Sequence, residues 1–145
     1  MAQQTLDLPS LEATQALGVR IAAALRPGDV VLLAGPLGAG KSTLARALLR
    51  ALLADPDLHV PSPTFTLVQS YDSPIGPVAH FDLWRLDDAG AVLELGWEEA
   101  LGGIVLVEWP DRLGALRPPD ALQVTLALAG EDARTATLEG WDDRL

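Results

Sequence analysis

Eight consecutive residues, Gly35-Pro36-Leu37-Gly38-Ala39-Gly40-Lys41-Ser42, satisfy the spacing G-x-x-x-x-G-K-[ST]. Each fixed position has a mechanical reason in a loop that cradles phosphates. Glycines let the backbone turn tightly, so that successive N–H groups face inward toward anionic oxygens. The Lys41 ammonium is suited to the β- and γ-phosphates, and the Ser42 hydroxyl to Mg²⁺. A helix beginning at this point adds the positive end of its dipole. Lys41 is also the only lysine, every other basic side chain being arginine. It stands where a compact point charge serves better than a planar fork.

A phosphate loop needs a second group on the metal side, normally a carboxylate at the end of a neighbouring buried strand. Two residues qualify. Glu108 directly follows Ile104-Val105-Leu106-Val107, the arrangement expected of a Walker B carboxylate, and is assigned to the metal side, directly or through water. Asp82, within His80-Phe81-Asp82-Leu83-Trp84-Arg85, ends a more mixed strand and is assigned as a second Mg²⁺ or water-orienting carboxylate. Lys41, Asp82 and Glu108 are thus the candidate catalytic residues, and Ser42, Asp82 and Glu108 the candidate metal ligands. Asp82 could instead pair with Arg85, and Arg85 could act as an arginine finger. His80 reads as structural, and Trp109 as either core or a contact for a partner or switch loop.

The elements that must position these groups follow from periodicity. Thr5 to Leu8 alternates as a short strand. Pro9 ends it, and Ser10 is an N-cap for a helix over Leu11 to Leu25, with Leu11, Leu17, Ile21 and Leu25 as its apolar stripe and Thr14 on its more polar side. Asp29 to Ala34 is a buried aliphatic strand and Ser42 to Leu53 an amphipathic helix, so that the glycine loop has the strand–loop–helix context its motif requires. Pro61 and Pro63 hold the following stretch extended. Thr64 to Tyr71 and Pro77 to Trp84 predict a hairpin around 72–76, and Asp87 to Leu95 a helix closed by Gly96. Trp97 to Leu101 adds a turn of helix, Gly103 to Val107 a second buried strand, and Ala121 to Leu128 with Arg134 to Leu138 a second hairpin. The fold expected is α/β, one P-loop NTPase-like domain over residues 1–145, with a mixed central sheet, antiparallel hairpins and flanking helices.

Composition narrows the classes. A chain of 145 residues with 49% hydrophobic content can bury one real core. No apolar run approaches the ~18 residues of a membrane span, and the N-terminus lacks the regions of a signal peptide. With no cysteine and only His59 and His80, thiol chemistry is excluded and zinc is disfavoured; a cytoplasmic protein is expected. A formal charge of −10 opposes direct nucleic-acid binding, which needs clustered Lys and Arg, although acidity also serves solubility.

Together, GPLGAGKST at 35–43, Ser62-Pro63-Thr64-Phe65, His80-Phe81-Asp82-Leu83-Trp84-Arg85-Leu86 and Glu108-Trp109-Pro110 resemble the TsaE (YjeE) family, the ATPase subunit of bacterial tRNA threonylcarbamoyladenosine synthesis. The resemblance runs in order over nearly the whole chain. It implies ATP and Mg²⁺ as cofactors, TsaD and TsaB as partner proteins, and a carbamoyl transfer carried out by TsaD and driven or reset by hydrolysis here. It assigns nucleotide contacts to Thr14, Gly38, Ala39, Gly40, Lys41, Ser42, Thr43 and Thr64. Thr64 falls in a switch-I-like loop and Asp82 in a switch-II-like segment, while Ser42 and Glu108 take the Mg²⁺ side. Pro36 departs from the acid frequent in the family, Trp84 from tyrosine, and Ser42 from the commoner threonine.

Other functions fit less well. A GTP switch reads guanine through N-K-x-D, and this chain has no Asn and no second Lys. A small-molecule kinase would want an Arg-rich lid over the transferring phosphate, and no such cluster follows the loop. A nucleotide-dependent assembly module without obligatory hydrolysis remains an alternative to a weak, partner-dependent ATPase.

Overall fold

In the computed structural model, which describes residues 3–61, 67–86, 88–141 and 144–145, seven strands form one mixed sheet. In chain order the elements are β1 (Gln3–Leu8), α1 (Leu11–Ala24), β2 (Val30–Ala34), α2 (Lys41–Leu52), β3 (Val68–Ser73), β4 (Gly76–Asp82), α3 (Ala89–Glu94), α4 (Trp97–Ala100), β5 (Ile104–Glu108), 3₁₀ turns at Pro110–Leu116, β6 (Leu122–Leu128) and β7 (Arg134–Glu139). Their order across the sheet is β1-β7-β6-β2-β5-β4-β3. Strands β4, β5, β2 and β6 run parallel in the centre, and the hairpins β3–β4 and β6–β7, with β1 on β7, add antiparallel pairs on both flanks.

The aliphatic runs of β2 and β5 have the signature of strands covered on both faces. Alternate residues divide accordingly. Val31, Leu33, Ile104 and Leu106 join Leu17, Ile21, Leu44 and Leu48 beneath α1 and α2. Val30, Leu32, Val105 and Val107 join Phe81, Val92, Trp97 and Leu113 on the other face. Helix α1 lies so close to α2 that a Cβ on Gly18 would come within 2.8 Å of the Leu44 carbonyl oxygen. Glycine is needed there for the approach of two backbones.

Parallel register places the site. Asp82 at the end of β4 stands opposite Glu108 at the end of β5, and Glu108 stands opposite Leu33, just before the glycine loop. The carboxyl ends of the central strands therefore meet at one edge, where open α/β sheets bind ligands.

Several expectations are revised. Leu11 is exposed and Thr14 buried, the reverse of the predicted helix faces; Ser10 does cap α1, its Oγ accepting from Ala13 N at 3.2 Å. The first hairpin turn tightens to Pro74-Ile75, because Ser73 and Gly76 already pair, and β3 begins at Val68. Helix α3 starts at Ala89, capped by the Asp88 side chain. The 3₁₀ turns after β5 carry no helical periodicity in sequence, and Gly114 kinks them (φ 52°). Residues 62–66, including the predicted switch residue Thr64, lie outside the described residues, as does Asp87.

Candidate nucleotide site at the strand ends

The glycine loop turns through left-handed positions at Gly38 (φ 83°) and Gly40 (φ 101°), and Gly40 is the N-cap of α2. At Gly35 (φ 135°) a Cβ would fall 2.4 Å from the Leu126 carbonyl oxygen, so only glycine lets β2 leave the sheet beside β6. Thr14 reaches the loop from α1: its Cγ2 lies 3.8 Å from where a Cβ of Gly40 would stand. The misassigned helix face is thus explained by a contact far away in sequence. Thr14 is buried against the loop, and Leu11 stands at the cavity wall instead of in the core.

Lys41 is the first residue of α2 and only 5% exposed. Its Nζ donates to the carbonyl oxygens of Gly35 (2.5 Å) and Pro36 (3.0 Å) and sits 3.8 Å from the centre of the Trp109 ring. Burial pulls its pKa below the usual lysine value, and the negative charges of Glu108, Asp82 and Asp111 oppose that fall. Trp109 holds the ammonium from a left-handed backbone (φ 59°, ψ 59°). For a bulky residue that conformation costs about 1–3 kcal/mol and persists where the surrounding structure over-determines it, often at functional sites. Trp84, half exposed, packs against Trp109 with ring centroids 4.4 Å apart.

The two carboxylates are buried beside this cation. Glu108 Oε1 accepts from the Ser42 hydroxyl at 3.2 Å, and Oε2 pairs with His80 Nε2 at 2.7 Å. Asp82 Oδ1 accepts from the Trp84 backbone N–H at 3.1 Å, which closes the turn after β4. Thr14, Gly38, Gly40, Lys41, Ser42 and Thr43 line a cavity of about 410 Å³, and Asp82 and Glu108 line it too. That volume lies within the range of small-molecule sites. Ala39 is fully buried and does not line it. Among the described residues, no cluster of three or more His, Cys, Asp or Glu side chains could hold a metal alone. One hydroxyl and two carboxylates beside a phosphate loop suit Mg²⁺, which keeps waters and takes oxygen from phosphates instead of an all-protein cage.

Sequence reading missed one wall. Arg134, at the start of β7, lines the cavity with Asp132. Its Nε donates to Ala39 O (3.1 Å) and its Nη2 to Gly38 O (3.2 Å), while Nη1 holds the carbonyls of Gly130, Glu131 and Ala133. One guanidinium thus fastens the β6–β7 turn to the glycine loop. An arginine after an acidic turn gives no sign of this, since its partners lie 95 and 96 positions away.

Comparison with known proteins adds an independent line. The family model described as threonylcarbamoyl adenosine biosynthesis protein TsaE matches residues 8–136. A tRNA threonylcarbamoyladenosine biosynthesis protein TsaE from Rickettsia felis is 36% identical over 134 residues, covering 92% of this chain and 78% of that protein. The protein of the same name from Bacillus subtilis is 35% identical, covering 92% and 83%. That from Aquifex aeolicus is 42% identical, covering 72% and 75%. Among solved structures, the crystal structure of Bacillus subtilis YdiB superposes with a TM-score of 0.76 at 29% identity, over 94% of this chain and 84% of that one.

Proposed function

The chain belongs to the TsaE family of threonylcarbamoyl adenosine biosynthesis proteins, and from that premise we propose that it binds Mg²⁺-ATP at the phosphate loop and hydrolyses it to drive or reset the carbamoyltransferase partners TsaD and TsaB. The observation that carries this reading is the convergence of Lys41, Ser42, Glu108 and Asp82 on one cavity at the carboxyl ends of parallel strands. A bound Mg²⁺ would neutralise charge building up on the phosphates.

The chain's own groups supply the rest. Lys41 would exchange the carbonyl oxygens of Gly35 and Pro36 for phosphate oxygens. Backbone N–H groups of residues 38–43 and the N-terminus of α2 take the remaining negative charge. Ser42, whose hydroxyl donates to Glu108 Oε1, would have an oxygen lone pair free for a bound metal. Asp82, buried at the end of β4, would orient the attacking water. Catalysis of this kind rests on position and charge rather than on covalent chemistry.

Hydrolysis by this chain alone is expected to be slow. The described residues include no helix long and apolar enough to cross a membrane, and the reading places the protein in the cytoplasm. A net charge of −10 leaves contact with tRNA to the partners. The test is ATP turnover measured for the protein alone and with TsaB and TsaD. Stimulation by the pair supports the proposal. Equal turnover with and without them, together with phosphate transfer to a small metabolite, would overturn it.

A further inference from the structure

His80 is a buried polar side chain in β4, paired across the antiparallel register with Gln69 of β3. It sits in β4 between Ala79 and Phe81, is 2% exposed, and stands opposite Leu106 of β5 in the parallel register. Burying an imidazole costs several kcal/mol unless its nitrogens are bonded. Among the described residues only one of them is: Nε2 meets Glu108 Oε2 at 2.7 Å, while Nδ1 is buried with no partner among them. A side chain chosen for packing alone would be aliphatic, like Val78 two residues earlier on the same face. The single bond it makes therefore has to account for its presence.

That bond fixes a carboxylate at both ends. Glu108 Oε2 is held by His80 and Oε1 by the Ser42 hydroxyl at 3.2 Å. An ionised carboxylate accepts, so the shared proton lies on His80 Nε2, and Nδ1 becomes an acceptor without a donor. An unpaired acceptor is the less costly of the two possible orphans. With both oxygens occupied, the carboxylate cannot rotate about its last torsion toward Lys41, whose charge already feels it. Glu108 then stays the acceptor of the Ser42 proton, and the Ser42 oxygen keeps a lone pair free on its other side.

We propose that His80 is a positioning residue: through Nε2 it locks the rotation of the Glu108 carboxylate, and thereby the direction in which Ser42 presents its oxygen to the divalent cation. The inference rests on the Mg²⁺-ATP reading above. It assigns His80 no contact with nucleotide or metal. Losing a group that orients a metal ligand typically lowers metal affinity by about 10- to 100-fold.

The experiment is equilibrium titration of the full chain with a fluorescent N-methylanthraniloyl ATP, once in Mg²⁺ and once in EDTA. Wild type should bind more tightly in Mg²⁺. In His80→Gln the amide nitrogen can occupy the place of Nε2, and the Mg²⁺ effect should persist. In His80→Asn the amide stops near the place of Nδ1 and cannot reach Glu108. There the Mg²⁺ effect should shrink about 10- to 100-fold, with affinity in EDTA unchanged. His80→Leu should behave as Asn does. If Leu does not fold, the Gln and Asn variants still decide, since both bury the same amide. Equal Mg²⁺ effects in Gln, Asn and wild type would overturn the role of His80 alone. A wild type that binds no better in Mg²⁺ than in EDTA would overturn the Mg²⁺-ATP reading itself.

Discussion

Arg134→Ala is a perturbation whose size can be worked from geometry. The guanidinium makes two bonds across to the glycine loop, 3.1 Å to Ala39 O and 3.2 Å to Gly38 O, and three within its own turn. Truncation frees carbonyls of the turn that water can reach, so those three bonds cost little. The two crossing bonds act differently, because a trans peptide points its N–H opposite to its C=O. Holding Ala39 O toward Arg134 turns the Gly40 N–H to the far side of the loop. A bond from a charged donor contributes about 1.5–3 kcal/mol, and partial solvent access favours the low end. With the Ala39 bond half-buried at about 1.5 kcal/mol and the Gly38 bond exposed at about 0.5–1.5, the pair contributes about 2–3 kcal/mol to holding the loop in shape. If two-thirds of that is recovered only when the loop is ordered by ligand, ATP affinity falls by roughly 10- to 30-fold. Isothermal titration of ATP in Mg²⁺ reads this directly. Arg134→Lys should restore only part of it, since one ammonium cannot span both loop carbonyls and the turn. An Arg134→Ala protein that binds ATP within twofold of wild type would refute the reasoning.

Other outcomes follow from single contacts. Gly18→Ala should destabilise the fold by about 1–2 kcal/mol despite alanine's better helix propensity, because its Cβ would meet backbone atoms of α2, Leu44 O at 2.8 Å and Leu48 N at 3.0 Å, which cannot give way; a urea midpoint that rises would contradict this. Tyr71 is the only tyrosine, so the rise in absorbance at 295 nm as a phenol ionises, over the constant contribution of the four tryptophans, reports it alone. Burial raises its pKa above 10.0, and the folded state therefore holds a proton the unfolded chain has lost; its contribution is present below pH 10 and disappears as pH rises through the folded pKa. A phenol titrating at or below 10.0 would count against that environment. Asp82→Ala should leave ATP binding close to wild type while partner-stimulated hydrolysis falls by about 10²-fold or more; phosphate release at the wild-type rate would remove Asp82 from the chemistry.

What could be read from sequence depended on how local its cause was. The glycine loop, Lys41 and Ser42 were legible because their constraint lies within eight consecutive residues. Strands β2 and β5 were legible because burial on both faces leaves unbroken aliphatic runs, and Glu108 followed from its place at the end of one. Thr14 and Leu11 were misplaced because the packing of α1 against α2 and the loop, not the helix's own periodicity, decides which face is buried. Arg134 was invisible because its role exists only once the β6–β7 hairpin folds back over Gly38 and Ala39. The left-handed Trp109 and the 3₁₀ turns that follow it have no periodic signature. His80 was read as structural, and its bond to Glu108 emerged only from the register of β4 on β5.

The central claim, that the loop from Gly35 to Ser42 holds the phosphates of ATP, is tested most directly by titrating ATP into wild type and Lys41→Ala under identical Mg²⁺. Lys41 already holds a buried ammonium against the loop, on the carbonyl oxygens of Gly35 and Pro36, and a charged hydrogen bond from it to a phosphate oxygen would be worth about 1.5–3 kcal/mol. The account predicts an affinity lower by about 10- to 150-fold in Lys41→Ala, with circular dichroism and melting temperature close to wild type. An unchanged dissociation constant in a folded Lys41→Ala protein would contradict it.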